Sequence, residues 1–150
     1  MRVREVMSHS PTCCTQNCSA QTAARIMRQS GLGFLPVIDT EAKRHLVGIL
    51  TDRDLCLNVV AAGRDVSQTP VQECMTPTPV ACGPEDKAEE VLRLMEAHAV
   101  RRLPVIDADQ RILGVIALTD LIHHGAASAR HISFALGRIG EPRARWVPTL

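Results

Sequence analysis

Aromatic residues are nearly missing from this chain of 150 residues: Phe34, Phe134 and Trp146 are the whole set, and tyrosine is absent. Single-stranded nucleic acids are held on platforms of such rings, so that class of function is excluded. A planar base that binds here must meet aliphatic side chains and backbone. Charge of one sign is missing too: 17 Lys and Arg stand against 16 Asp and Glu, which lacks the basic surplus of a nucleic-acid-binding domain. No apolar run approaches the ~20 residues of a membrane span. The opening Met1-Arg2-Val3-Arg4-Glu5-Val6-Met7 has no apolar core of a signal peptide. These absences predict a soluble, cytoplasmic protein with neither a membrane nor a nucleic acid as partner.

Catalytic signatures are also lacking. No Ser-His-Asp order, nucleophile elbow, P-loop or dinucleotide fingerprint is visible, so no nucleophile with a positioned base can be named and no enzyme is expected. The six cysteines, Cys13, Cys14, Cys18, Cys56, Cys74 and Cys82, follow no secretion signal and read as reduced thiols. Cys13, Cys14 and Cys18 lack the paired spacing of a zinc site, so no metal is required, although a thiol or metal sensor on this cluster is the third reading of the chain. His123 and His124 end a helix, where an imidazolium suits the negative end of the dipole; a metal-ligand role is not expected for them.

What is present is a repeat. Val3-Arg4-Glu5-Val6-Met7 matches Val71-Gln72-Glu73-Cys74-Met75 at a shift of 68, and Leu35-Pro36-Val37-Ile38-Asp39 returns as Leu103-Pro104-Val105-Ile106-Asp107 at the same shift. By Gly48 and Gly114 the shift is 66, which puts two extra residues in the turn around Thr40 to Arg44 of the first copy. Ala20, Ala23, Ala24 and Met27, and later Ala88, Val91, Leu92 and Met95, follow helical spacing. Ser19 and Gly31 suit the ends of the first helix, and Asp86 with Glu89 resembles a capping box for the second. Each helix is followed by two Val/Ile-rich runs around a polar turn, a β-hairpin with Pro36 or Pro104 at a strand beginning or edge. A second helix follows, from Asp52 to about Ala61 and from Leu118 to about His124, so each unit is β-α-β-β-α.

The predicted organisation is repeat one over 1–61, a linker over 62–70, repeat two over 71–125 and a basic tail over 126–150. That tail carries Arg130, Arg138, Arg143 and Arg145 against Glu141, with a helix expected from Ala127 to Leu136.

Gly48-Ile49-Leu50-Thr51-Asp52-Arg53-Asp54-Leu55 joins an apolar strand to a helix start, and Gly114-Val115-Ile116-Ala117-Leu118-Thr119-Asp120-Leu121 repeats its frame. Asp54 offers two acceptor oxygens suited to a ribose diol. Thr51 and Arg53 suit a phosphate, and Gly48 admits a close backbone approach. The same Thr51-x-x-Asp54 spacing is equally a helix-capping arrangement. One threonine can serve both ends.

Two tandem units with a Met-Ser/Thr-x-x-Pro opening, a Leu-Pro-Val-Ile-Asp strand and a Gly-to-Asp close resemble a cystathionine β-synthase (CBS) domain pair, over roughly residues 1–124. The resemblance implies an α+β fold of two repeats packed about a pseudo-twofold axis. It also implies clefts between them that bind an adenosine nucleotide of the AMP, ADP or ATP type, and a homodimer that signals to an effector protein. It places ribose at Asp54 and Asp120 and phosphate at Thr51, Arg53, Thr119, Arg101 and Arg102. Adenine falls near Thr12 to Cys14, Val80 to Cys82, and Phe34, with Cys14 and Cys82 buried. Ala117 breaks the pattern in copy two, where Thr119 compensates; Arg102 can instead be a solvated strand-edge charge. A nucleotide-free interaction scaffold is the alternative.

Overall fold

The computed structural model describes residues 1–140, with seven strands and five α-helices among them. In chain order these are β1 (Ser8–His9), β2 (Cys14–Thr15), α1 (Ala20–Ser30), β3 (Phe34–Ile38), β4 (Leu46–Thr51) and α2 (Asp52–Leu55). There follow β5 (Thr76–Pro77), α3 (Ala88–His98), β6 (Arg102–Ile106), β7 (Ile112–Ala117), α4 (Leu118–His123) and α5 (Ala129–Gly140). Short 3-10 turns at Val3–Glu5 and Val71–Glu73 open the two copies. No helix among the described residues is long and apolar enough to cross a membrane.

Two compact units form, and they do not follow the repeat boundaries. One comprises Met1–His9, Val80–Val105 and the described chain from Gly114 to Gly140; the other comprises Ser10–Pro79 and Ile106–Leu113. In the first, β1 lies antiparallel on β7, pairing Ser8 with Val115 and His9 with Gly114, and β6 completes the sheet. Val3 and Val6 are buried there with Val91, Leu92, Met95, Leu103, Ile116 and Leu121. In the second, the sheet order is β2-β3-β4-β5, and β5 lies antiparallel on β4, pairing Gly48 with Pro77. Val71 and Cys74 are buried there with Cys14, Ala23, Leu35, Val37, Leu50 and Val59. The opening of each repeat thus completes a sheet built by the other.

The glycines of the repeated frame exist for this crossing. A Cβ on Gly48 would lie 2.4 Å from Met75 Sδ and 3.0 Å from the Thr76 carbonyl oxygen. On Gly114 it would lie 2.6 Å from the Ser8 carbonyl oxygen and 2.8 Å from Met7 Sδ. The backbone that Gly48 admits is the chain's own.

Local signals account for most element ends. Ser19 Oγ accepts the Thr22 N–H at 3.1 Å, and Gly31 closes α1 in the left-handed region at φ 67°. The apolar face of α1 is narrower than expected, because Ala20, Ala23 and Met27 are buried while Ala24 is exposed. In α3 all four spaced residues are buried, but the start moves: Lys87 N–H donates to Glu90 Oε2 at 3.1 Å. Asp86 instead accepts the Gly83 N–H at 2.8 Å, ordering the turn before the helix.

Other differences have equally local causes. Pro36 sits in an inner strand rather than at an edge; beside the equivalent Pro104, the neighbouring strand shrinks to one bridge between Cys82 and Val105. The expected helix from Asp52 to Ala61 is α-helical only to Leu55 and continues as a π-helix over Cys56–Val60, where Asn58 Nδ2 donates to the Cys74 carbonyl at 3.1 Å. The segment 62–70 caps as well as links: the Thr69 carbonyl accepts Ala20 N–H at 2.8 Å and the Val66 carbonyl accepts Gln21 N–H at 3.0 Å. The tail helix runs two residues later at its start and four later at its end than the spacing suggests, Ala129–Gly140 against Ala127 to Leu136. Ala135 is buried in the first unit's core, and Arg130 and Arg138 are exposed. Arg143, Arg145, Glu141 and Trp146 lie outside the described residues.

Substituting Gly114 by alanine is expected to destabilise by about 1–3 kcal/mol, because the clash is with backbone in a packed site. Gly48→Ala is expected to cost less, since the tighter contact there is a methionine side chain that can rotate. Urea denaturation of both variants checks the order.

Candidate functional site

The strand-to-helix junction of the second unit is built from Thr51 outward. Leaving β4 with an extended backbone, Thr51 accepts the Asp54 N–H on Oγ1 at 3.1 Å and donates its own N–H to Asp54 Oδ2 at 2.9 Å. This reciprocal box holds the carboxylate and the hydroxyl side by side, both half-buried. A carboxylate accepts in about four directions, so capping and ligand contact are compatible on one residue. Phe34 is the register partner of Thr51 across β3 and β4, and is half-buried.

Gly33 is required at the next position. Its carbonyl accepts the Asp52 N–H at 3.0 Å, and a Cβ there would meet Asp52 Oδ2 at 2.4 Å. Asp52 Oδ1 in turn accepts the Arg53 N–H at 2.8 Å, and the Arg53 side chain is exposed, with no ion pair among the described residues.

The first unit holds the twin. Ala117 N–H donates to Asp120 Oδ2 at 2.7 Å, the same hook as at Thr51, but no hydroxyl answers the Asp120 N–H. The Arg101 carbonyl accepts the Leu118 N–H at 2.9 Å, as Gly33 does for Asp52. Arg101, Arg102 and Thr119 are exposed, and neither arginine is paired with a carboxylate among the described residues.

The adenine-side candidates divide. Thr12 is exposed and Val80 is half-buried against the first unit's core. Cys14 and Cys82 point into the two cores, so they can offer a ligand only backbone; the Cys82 N–H is already given to the Pro104 carbonyl at 3.1 Å. Burial pushes the Cys82 thiol up to about 12.

The sequence reading missed Ser10 and Arg44. With Pro11, Ile112 and Leu113 they line a cavity of about 490 Å³ in the second unit. The signal was the two-residue insertion, which ends on Arg44 in the left-handed region at φ 58°. Arg44 Nη2 also donates to Cys13 Sγ at 3.5 Å. None of the predicted contact residues lines this cavity. Among the described residues, no group of three or more His, Cys, Asp and Glu side chains is gathered closely enough to hold a metal ion.

Comparison with known proteins agrees with the repeat. The CBS domain family model matches residues 3–61 and again residues 71–127. The CBS domain-containing protein YhcV of Bacillus subtilis is 38% identical over 119 residues, covering 79% of this chain and 81% of that protein. The crystal structure of Hypoxic Response Protein I, with two coordinated zinc ions, superposes with a TM-score of 0.75 at 31% identity, covering 83% of this chain and 98% of that one. CBSX2 in complex with AMP superposes with a TM-score of 0.70 at 24% identity, covering 83% and 95%.

The missing hydroxyl in copy two gives a paired test of capping. Thr51→Ala is expected to cost about 1 kcal/mol, and Ala117→Ser to gain about 0.5–1 kcal/mol by supplying an acceptor to the Asp120 N–H. Thermal and urea unfolding of the two variants read these changes.

Proposed function

This chain belongs to the CBS domain family, and from that premise we propose that it is a non-catalytic regulatory module whose ligand is an adenosine nucleotide of the AMP, ADP or ATP type. The observation that carries the reading is the pair of aspartate hooks, Thr51 with Asp54 and Ala117 with Asp120, each fixed at a strand-to-helix turn beside exposed cationic or hydroxyl groups. Asp54 and Asp120 take the ribose hydroxyls. Thr51 and Arg53 take phosphate on one side; Thr119, Arg101 and Arg102 take it on the other, Arg by charge-assisted hydrogen bonds. Backbone at Thr12 to Cys14 and at Val80 to Cys82, with Phe34, meets the base. The AMP held by CBSX2 supports the ligand class. Occupancy acts by favouring one state of a homodimer, or of a complex with an effector protein in the cytoplasm.

The fully hooked junction, with Thr51, is the stronger of the two, because a methyl group at Ala117 cannot bond a phosphate. No metal takes part in this reading. The zinc ions of Hypoxic Response Protein I are that protein's own.

A second reading is an interaction scaffold without nucleotide, to which Phe134 on α5, exposed at 61%, offers a single apolar foothold.

Calorimetric titration of the whole chain with AMP, ADP, ATP and S-adenosylmethionine decides between them. Saturable binding is expected, and Asp54→Asn is expected to weaken it by about tenfold or more, the value of a hydrogen bond to a charged group. The same variant keeps a capping acceptor, so its urea midpoint is expected to move little. Absence of binding heat from correctly folded wild type, with all four compounds, would overturn the nucleotide reading.

A further inference from the structure

The nucleotide reading leaves unused the cavity of about 490 Å³ bounded by Ser10, Pro11, Arg44, Ile112 and Leu113, all of them in the second unit. Its size falls within the roughly 300–1,000 Å³ of sites that hold small organic molecules. The walls divide by chemistry. Pro11, Ile112 and Leu113 supply apolar surface, Ser10 a hydroxyl, and Arg44 the one cation among the lining residues. The Ser10 hydroxyl makes no hydrogen bond among the described residues, so it is open to a ligand.

We propose that this cavity binds a monocarboxylate with a compact apolar body, its carboxylate on Arg44 and Ser10 and its body against Pro11, Ile112 and Leu113. The backbone decides which anion fits. Ser10 N–H is given to the Leu113 carbonyl at 3.4 Å, Arg44 N–H to the Thr40 carbonyl at 2.8 Å and Ile112 N–H to the Arg44 carbonyl at 3.0 Å, while Pro11 has no N–H to give. A phosphate dianion is cradled by several open N–H groups or several cations, and the lining gathers neither. A guanidinium and a hydroxyl remain. The planar fork of the guanidinium matches the two oxygens of a carboxylate, and the rest of the wall favours carbon.

Arg44 lines the cavity without being neutralised. Its Nη1 lies 3.5 Å from Glu41 Oε2, and the Glu41 side chain is 72% exposed; an ion pair so open to water is weak and yields readily to a competing carboxylate. Arg44 Nη2 donates to Cys13 Sγ at 3.5 Å, and Cys13 Sγ donates in turn to the Pro11 carbonyl at 3.3 Å. Cys13 thus positions the guanidinium beside Pro11. Burial raises the pKa of this thiol, against the pull of Arg44 and with Glu41 adding to it, so the sulfur stays neutral and leaves the guanidinium its charge. Two long contacts do not use up the donors of an arginine.

The other repeat shows that the fold does not ask for this cation. Ser10 corresponds to Thr78 at the shift of 68, and Arg44 to Gln110 at the shift of 66. The backbone repeats faithfully: φ is 50° at Ser10 and 48° at Thr78, 58° at Arg44 and 65° at Gln110. This left-handed backbone is uncommon for residues with a side chain, but it is common to both copies and so does not explain an arginine. Gln110 closes its own turn uncharged, its N–H on the Asp107 carbonyl at 3.0 Å. The charge of Arg44 is therefore left for a ligand.

Benzoate is the probe, with benzyl alcohol as its uncharged analogue and inorganic phosphate as an anion without an apolar body. The whole isotope-labelled chain, free of nucleotide, is titrated with each and followed by amide NMR. Benzoate is expected to bind saturably, with shifts centred on the amides of Ser10, Arg44, Ile112 and Leu113. Benzyl alcohol is expected to bind at least about tenfold more weakly for want of a charge-assisted hydrogen bond, and phosphate at least about tenfold more weakly for want of apolar contact. Arg44→Gln, the residue that the other repeat carries, is expected to weaken benzoate by about tenfold with its urea midpoint unmoved. If that variant does not fold, the order of the three probes on the wild type decides alone. Shifts that never saturate or that lie elsewhere, phosphate binding as tightly as benzoate, undiminished binding to Arg44→Gln, or displacement of benzoate by AMP would each overturn the proposal.

Discussion

The fold depends on two crossings in which a methionine-led segment lies on a glycine. Met75 and Thr76 pass over Gly48, and Met7 and Ser8 pass over Gly114, at distances that leave no room for a side chain on the glycine. Both edge strands, β1 and β5, form on those contacts. The valines of the preceding 3-10 turns, Val3 and Val71, are carried into the cores by them. Two residues of edge pairing would count for little alone, but here they are joined to full burial of the valines a few residues earlier. Burying an aliphatic side chain contributes about 1.5–3 kcal/mol, so the packing holds the short strand in place rather than the reverse.

Six and three residues further on from the glycines stand the aspartates and the position of the threonine, and the ladder fixes them. β4 carries Gly48 against β5 and Thr51 against Phe34 in one register, so a single strand joins the crossing to the candidate site. The carboxylate that would meet a ligand also holds the helix start, which gives the site a defined geometry without a ligand in place. Such preorganisation lowers the ordering cost of binding. The asymmetry between the copies is equally local: Ala117 removes one acceptor, and Arg101 and Arg102 add two cations that Gly33 and Phe34 lack.

Much of this was legible in the sequence because the repeat states each element twice. The hairpins, the Ser19 cap, the burial of Cys14 and Cys82 and the Thr51–Asp54 box followed from spacing and from the matching residues. What escaped was whatever depends on partners distant in sequence. Nothing local to Gly48 says that Met75 will cover it, so in the sequence the glycine reads as room for a ligand. Asp86 and Glu89 have capping spacing, yet the N–H of Lys87 competes for Glu90 and shifts the start. The Arg44 cavity depends on Ile112 and Leu113, far along the chain.

The exchanged openings also set the order of assembly during synthesis. Val3 and Val6 are made before Ile116 and Leu121, with which they share a core. The other unit, too, waits for Ile106–Leu113. At a ribosomal rate of about 5–20 residues per second, the opening segment spends roughly 5–20 s before its sheet exists. Vectorial folding, repeat by repeat, is therefore closed to this chain. The segment from Arg2 to His9 has only Val3, Val6 and Met7 as apolar side chains, spaced by charges at Arg2, Arg4 and Glu5. A nascent stretch so sparsely apolar can stay in water until its partners emerge from the exit tunnel.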